Sequence, residues 1–237
     1  MALPKVSTPI YTMTIPSSGV AVKFRPFLIK DEKALLLAQQ SENMTTMVNT
    51  LKDVIKNCIQ DELDLDTLAT FDLEYMFTQI RSKSVGEIVD LLIKCDTCTD
   101  EKAVAKVQVD LTTLTVDKPD GHAKNIKLFD DVGVVLKYPT IDILKKLESS
   151  QQADLTEVFG IMADCIDNIY NTEEVWQAKD QTKEELLDFL NNLNNEQFMK
   201  IRNFFETMPK LRKEVEYDCP VCNKHHTKLL EGLDSFF

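Results

Sequence analysis

From Tyr11 to Phe27 the apolar residues come at alternate positions: Val20, Val22 and Phe24 are interleaved with small or polar neighbours, and Ser17-Ser18-Gly19 precedes them. The spacing predicts two strands joined by a tight turn, an N-terminal β-hairpin. The period then lengthens. In IKDEKALLLAQQSEN, Asp31 is placed to cap a helix with Leu35, Leu36 and Leu37 on its apolar face. Met47, Leu51, Val54, Ile55, Cys58 and Ile59 recur at helical spacing, which makes Cys58 a core thiol. The carboxylates of DELDLD invite a calcium reading, but the loop lacks the sixth-position glycine and the final glutamate that such a site uses. A turn whose aspartate caps the next helix, over LATFDLEYMFTQIRSKS, explains the stretch better.

Alternation returns in GEIVDLLIKCDTCTDEKAVAKVQVDL, which reads as strand, knuckle, strand, with Val104, Val107 and Val109 beyond the knuckle. KPDG at 118–121 marks a turn, and VGVVLKYP reads as another short strand. Residues 140–208 predict four helices. One carries Val158, Ile161, Met162, Cys165, Ile166 and Ile169 on a single stripe, one starts at a Thr182–Glu185 capping box, and NNEQFMKIRNFFETMPKL ends at Pro209. EVEYDCPVC then restores the extended pattern. The predicted fold class is α+β: an N-terminal β-hairpin and helices, split zinc-ribbon-like knuckles and a helical insertion. The predicted organisation is a body over 1–139, a helical insertion over 140–208 and a C-terminal return over 209–237.

Composition narrows the class. The chain has 237 residues and 43% hydrophobic content, enough for a sizeable core. No apolar run reaches the ~20 residues of a membrane span, and MALPKVSTPIYTM lacks the basic and apolar regions of a signal peptide. A reducing compartment is therefore expected, where paired cysteines serve as metal ligands or redox groups more than as disulfides.

Two Cys-x-x-Cys pairs stand out, Cys95 with Cys98 and Cys219 with Cys222. Each lies between extended segments, and two such knuckles facing each other form a tetrathiolate site, the usual structural zinc arrangement. Compact ribbons separate the pairs by roughly 15–20 residues, whereas about 120 intervene here. Closure cost grows only logarithmically with loop length, so a separately folded insertion is compatible with the site. The expectation is one structural zinc per chain. Two other readings stand beside it: a Cys/His site that uses His225 or His226, and independent redox pairs, which normally open a helix after a strand. With four thiolates the site is closed to a catalytic water and contributes to folding.

Other chemistry is sparse. Three histidines and six glycines form no His-Glu-x-x-His helix, nucleophile elbow or phosphate loop, so no enzyme is expected. The 27 basic against 39 acidic residues, a net charge of −12, repel phosphate backbones. A zinc-ribbon nucleic-acid-binding regulator of a phage is the alternative function; it needs exposed Lys and Arg beside the knuckles, yet Asp96, Asp100 and Glu101 offset Lys94 and Lys102 there.

Three stretches taken together, VKFRPFLIKDEKALLLAQQ, FDLEYMFTQIRSKSVGE and YDCPVCNKHHTKLLEGLDSFF, resemble the baseplate hub protein family of T4-like contractile-tailed bacteriophages. The knuckles and NEQFMKIRNFFETMPKL agree in order. The resemblance implies a structural or assembly role in the hub of the tail baseplate, in the virion or in the host cytoplasm during assembly. It also implies contacts with other hub or tail proteins, and an oligomer is compatible with such a role. It brings no catalytic residues, and it carries Cys95, Cys98, Cys219 and Cys222 as the metal site. The apolar end, Leu229, Leu230, Leu233, Phe236 and Phe237, has two readings: a docking element, or a tail folded back onto the body.

Overall fold

A computed structural model describes residues 7–41, 43–143 and 155–236. Its strands and helices divide the chain into two compact units, one of 1–65, 71–117 and 210–237, the other of 66–70 and 118–209.

The first unit opens with the antiparallel hairpin β1 (Tyr11–Thr14) and β2 (Ala21–Phe24), with Tyr11 opposite Phe24. Gly19 sits at φ +72, a conformation that a side chain disfavours. The turn is fixed from outside by the buried Asp72 carboxylate, which accepts the Ser17 amide at 2.9 Å. Helices α1 (Ile29–Gln40), α2 (Met44–Cys58) and α3 (Thr70–Ser84) follow. On α2 the expected stripe is buried at Leu51, Val54, Ile55 and Cys58.

Two expectations for α1 are corrected. The cap position is Leu28, and Asp31 lies one turn inside, where its carboxylate accepts the Leu28 amide at 2.9 Å and pairs with Arg25 at 2.8 Å. The inward face belongs to Asp31 and Ala38, which leaves Leu36 and Leu37 exposed. Three consecutive helical residues span about 200° of rotation and cannot share one face.

β3 (Ile88–Lys94) and β4 (Val104–Asp110) form a second antiparallel hairpin, followed by the short β5 (Thr115–Asp117). The other unit then begins. Its strands β6 (Asn125–Phe129) and β7 (Val132–Leu136) precede helix α4 (Leu155–Asp164). Next come β8 (Ile166–Tyr170), β9 (Val175–Gln177), α5 (Lys183–Asn191) and α6 (Asn195–Glu206). The four strands make one antiparallel sheet in the order β6-β7-β8-β9. Gly133 on β7 leaves room for the Tyr170 ring, with which a Cβ there would collide.

This corrects the all-helical reading of 140–208. The helix from Leu155 stops at Asp164, and Ile166 and Ile169 enter the sheet, Ile169 facing Val134 on one side and Trp176 on the other. A stripe so short fits helical and extended periods alike, and strand pairing decides. Residues 144–154, within the stretch read as four helices, lie outside the described residues. The capping boxes at Thr182 with Glu185 and at Asn194 with Gln197 are present.

The chain returns through β10 (Lys210–Asp218) and β11 (His225–Glu231). Lys210 pairs directly with Asp117, so the long excursion leaves and re-enters at neighbouring ladder residues. The C-terminal reading is decided for Phe236. Gly232, at φ +73, turns the chain into a 3-10 turn over Leu233–Phe236, and the Phe236 ring is fully buried with Leu111, Leu114, Leu211 and Leu230. The tail packs on the body; Phe237 lies outside the described residues.

Phe236→Ala should therefore lower unfolding free energy by about 3–5 kcal/mol in a denaturant titration, and an unchanged midpoint would return the tail to the docking reading. A second expectation concerns His122, whose ring nitrogens lie 3.0 Å from Thr207 Oγ1 and 3.1 Å from the Tyr138 hydroxyl, with Phe204 stacked at 4.9 Å. Burial, then the charges of Lys118 and Lys124, depress its pKa. Its contribution to stability is complete above the unfolded value of about 6.5 and is lost as pH falls through the depressed folded value. Wild type should thus lose more thermal stability than His122→Asn between about pH 7 and about pH 5; parallel pH curves would contradict this.

Candidate metal centre

Both Cys-x-x-Cys pairs occupy hairpin tips. In the first, alternation brings Ile93 inward at the end of β3, the Cys95 amide donates to the Ala103 carbonyl at 2.8 Å, and Asp100 accepts the Lys102 amide at 2.8 Å to close the turn. In the second, the Cys219 amide donates to the Lys224 carbonyl at 3.0 Å and the Asn223 amide donates to the Cys219 carbonyl at 2.9 Å. Asn223 takes the left-handed conformation, φ 52, which asparagine tolerates better than most residues. The amides of Val221 and Cys222 point at Cys219 Sγ at 3.4 and 3.5 Å. Such knuckle amides stabilise thiolate charge.

A shared core holds the tips together. Ile93, Ala105 and Val109 of the first hairpin pack with Leu211, Val215, Tyr217 and Leu230 of the second. Above that layer Cys95, Ala103 and Cys219 are buried, with Cys98 and Cys222 against them. All four sulfurs lie within 4.8 Å of one another, and Cys98 Sγ is 3.8 Å from Cys219 Sγ. None is in a disulfide. For thiolates at about 2.3 Å from a tetrahedral zinc, the sulfur–sulfur edge is about 3.8 Å. The donor set and its spacing fit that ion.

The histidines separate. His225 is exposed and pairs with Asp218 at 3.0 Å and Glu216 at 3.8 Å. His226 stacks on Tyr217 at 5.3 Å and places Nε2 at 3.4 Å from Cys95 Sγ and 3.8 Å from Cys222 Sγ. It is a neighbour of two sulfurs, outside the mutually close set of four. The sequence did not single out Thr97, whose hydroxyl is 3.2 Å from Cys95 Sγ. Its position inside the Cys-x-x-Cys turn was the available signal.

These contacts spread the thiol acidities. His226, then the Lys224 amide, brings Cys222 down to about 5. The Thr97 hydroxyl brings Cys95 down to about 7. Cys98, facing Cys222 and the other sulfurs, is pushed up to about 12. Four thiols this close cannot all ionise without a cation among them. Cys58 and Cys165 are fully buried and stand outside the close set of four, and burial raises Cys58 to about 11.

A family model described as "T4 bacteriophage base plate protein" matches residues 8–237. No curated protein and no solved structure matches the chain.

In metal-free protein, iodoacetamide near neutral pH should alkylate Cys222 first and Cys95 next, and leave Cys58 unmodified while the chain stays folded. The Cys222 rate should decline only as pH falls through about 5, because the thiolate is the nucleophile. Peptide mapping that finds Cys98 or Cys58 first would contradict this order.

Proposed function

The chain belongs to the T4 bacteriophage base plate protein family, and from that premise we propose that it is a non-enzymatic structural or assembly protein of the baseplate hub. In this reading one zinc ion per chain is held by Cys95, Cys98, Cys219 and Cys222. Membership implies a place in the virion tail and contact with other tail proteins. The hub, and a period in the host cytoplasm during assembly, belong to the proposal.

The observation that carries the metal reading is the convergence of four sulfurs at two hairpin tips. Four thiolates close a tetrahedral zinc, with no position for water, so the ion acts on folding. No helix among the described residues is long and apolar enough to cross a membrane. The nucleic-acid regulator is the alternative: Lys94, Lys102 and Lys224 are exposed beside the knuckles, but Asp96, Asp100 and Glu101 are exposed among them. Lys228 pairs with Asp96 of the first knuckle at 3.7 Å.

Elemental analysis of freshly purified protein should give one zinc per chain. Cys95→Ser combined with Cys219→Ser should abolish it, whereas Cys58→Ala should retain it at a packing cost of roughly 1–2 kcal/mol. A metal-free wild type, or zinc retained by the double variant, overturns the site. Mass spectrometry of isolated hub subassemblies should detect the chain, and its absence there and from mature particles overturns the hub role.

A further inference from the structure

Two backbone edges in the ribbon lack a partner strand, and both line one cleft. β4 pairs with β3, while β10 pairs with β5 only from Lys210 to Arg212. Among the described residues no strand covers the outer edge of β4 or the edge of β10 beyond Arg212. Ladder parity says which groups point outward. The Cys95 amide bonds the Ala103 carbonyl and the Leu111 amide bonds the Glu87 carbonyl, both at 2.8 Å. Bonded pairs alternate along an antiparallel ladder, so Ala105, Val107 and Val109 bond to β3, and Val104, Lys106 and Gln108 direct N–H and C=O outward. The Cys219–Lys224 and Leu211–Gly232 bonds place Glu214, Glu216 and Asp218 likewise on the open side of β10.

The cleft, about 410 Å³, is lined by the consecutive residues 104–108 and 216–218 with Pro220. A strand face contributes every second residue to a pocket; a consecutive run means the cleft is bounded by edges. On the core side it meets Ala105 and Tyr217, which are buried. On the outer side the two strands carry unequal charge. Lys106 is already matched by Asp90 at 2.9 Å, whereas Glu216, which meets the His225 ring at 3.8 Å, and Glu214, next along the open edge beyond the cleft, have no lysine or arginine partner among the described residues.

We infer that this cleft receives an extended segment of another tail protein, with alternating apolar and basic residues, which adds as a strand between β4 and β10 and joins the two sheets. Main-chain hydrogen bonds supply affinity and the alternation supplies specificity. Apolar side chains face Ala105 and Tyr217, and Lys or Arg faces Glu214 and Glu216. β4 leaves the cysteine cluster and β10 enters it, so the added strand runs antiparallel to one and parallel to the other. The charge argues against a second copy as occupant, because each chain carries −12.

The test uses the full chain and two synthetic peptides, Lys-Val-Lys-Val-Lys-Val-Lys and its counterpart with glutamate for lysine, read by amide hydrogen exchange. The lysine peptide should slow exchange at Lys106, Gln108 and Glu216, and the glutamate peptide should not. Glu216→Lys should weaken the lysine peptide roughly tenfold through loss and reversal of a cross-strand charge pair. Lys106→Pro, which removes an outward donor and no bond to β3, should abolish protection at Gln108. No slowing, equal slowing by both peptides, or amides that are protected without peptide and become exposed on dilution, the mark of a second copy, overturns the inference. Zinc content measured on the same samples keeps a failure here distinct from a failure of the metal reading.

Discussion

The ribbon depends on the meeting of two hairpin tips whose cysteines, Cys98 and Cys219, stand 121 positions apart and 3.8 Å apart in space. For a flexible loop of that length the closure cost would be about 4 kcal/mol. Two features of the fold offset it. Asp117 pairs with Lys210, so the excursion between them begins and ends at one ladder position. Ten buried side chains, from Ile93 to Phe236, then hold the hairpins together beneath the tips. The cluster closes a gap that pairing and apolar burial have already narrowed.

The cluster is asymmetric in its chemistry. Cys95 and Cys222 have neutral or cationic donors beside them, Thr97 and His226, while Cys98 faces mainly other sulfurs. A dication at the centre would remove the repulsion that keeps Cys98 protonated. Tyr217 and His226 form a wall on one side, with Tyr217 buried in the shared core. The polar surroundings of the sulfurs therefore rest on the same β10–β11 ladder that carries the hydrophobic contacts.

Elsewhere in the first unit, buried polar groups set the geometry that apolar pattern alone would leave loose. Asp31 and Asp72 are almost fully buried, yet each is met by a backbone amide: Leu28 for one, Ser17 for the other. Asp31 also draws in Arg25, which donates to the Pro26 carbonyl at 2.8 Å as well. Because Asp31 takes the inward face of α1, its leucines turn outward. Removing one member of such a buried pair leaves a charge without a partner, so the arrangement orients α1 more firmly than the apolar pattern does.

Local physics was legible in the chain itself. The alternation of Val20, Val22 and Phe24 gave a strand, the stripe ending at Cys58 gave a buried helix face, Thr182 with Glu185 gave a helix start, and the two Cys-x-x-Cys turns gave knuckles between extended segments. Each of these depends on residues a few positions apart. What the tertiary structure decided involves partners distant in sequence. Ile166–Tyr170 became a strand because β7 and β9 were there to pair with it, Asp31 went inward because Arg25 met it, and Phe236 packed because Leu111 and Leu211 opened a place for it. The four cysteines divide the same way. Their spacing marked two half-sites, and only the β5–β10 pairing and the common core, neither visible in any short window of sequence, put the halves within a sulfur–sulfur contact of each other.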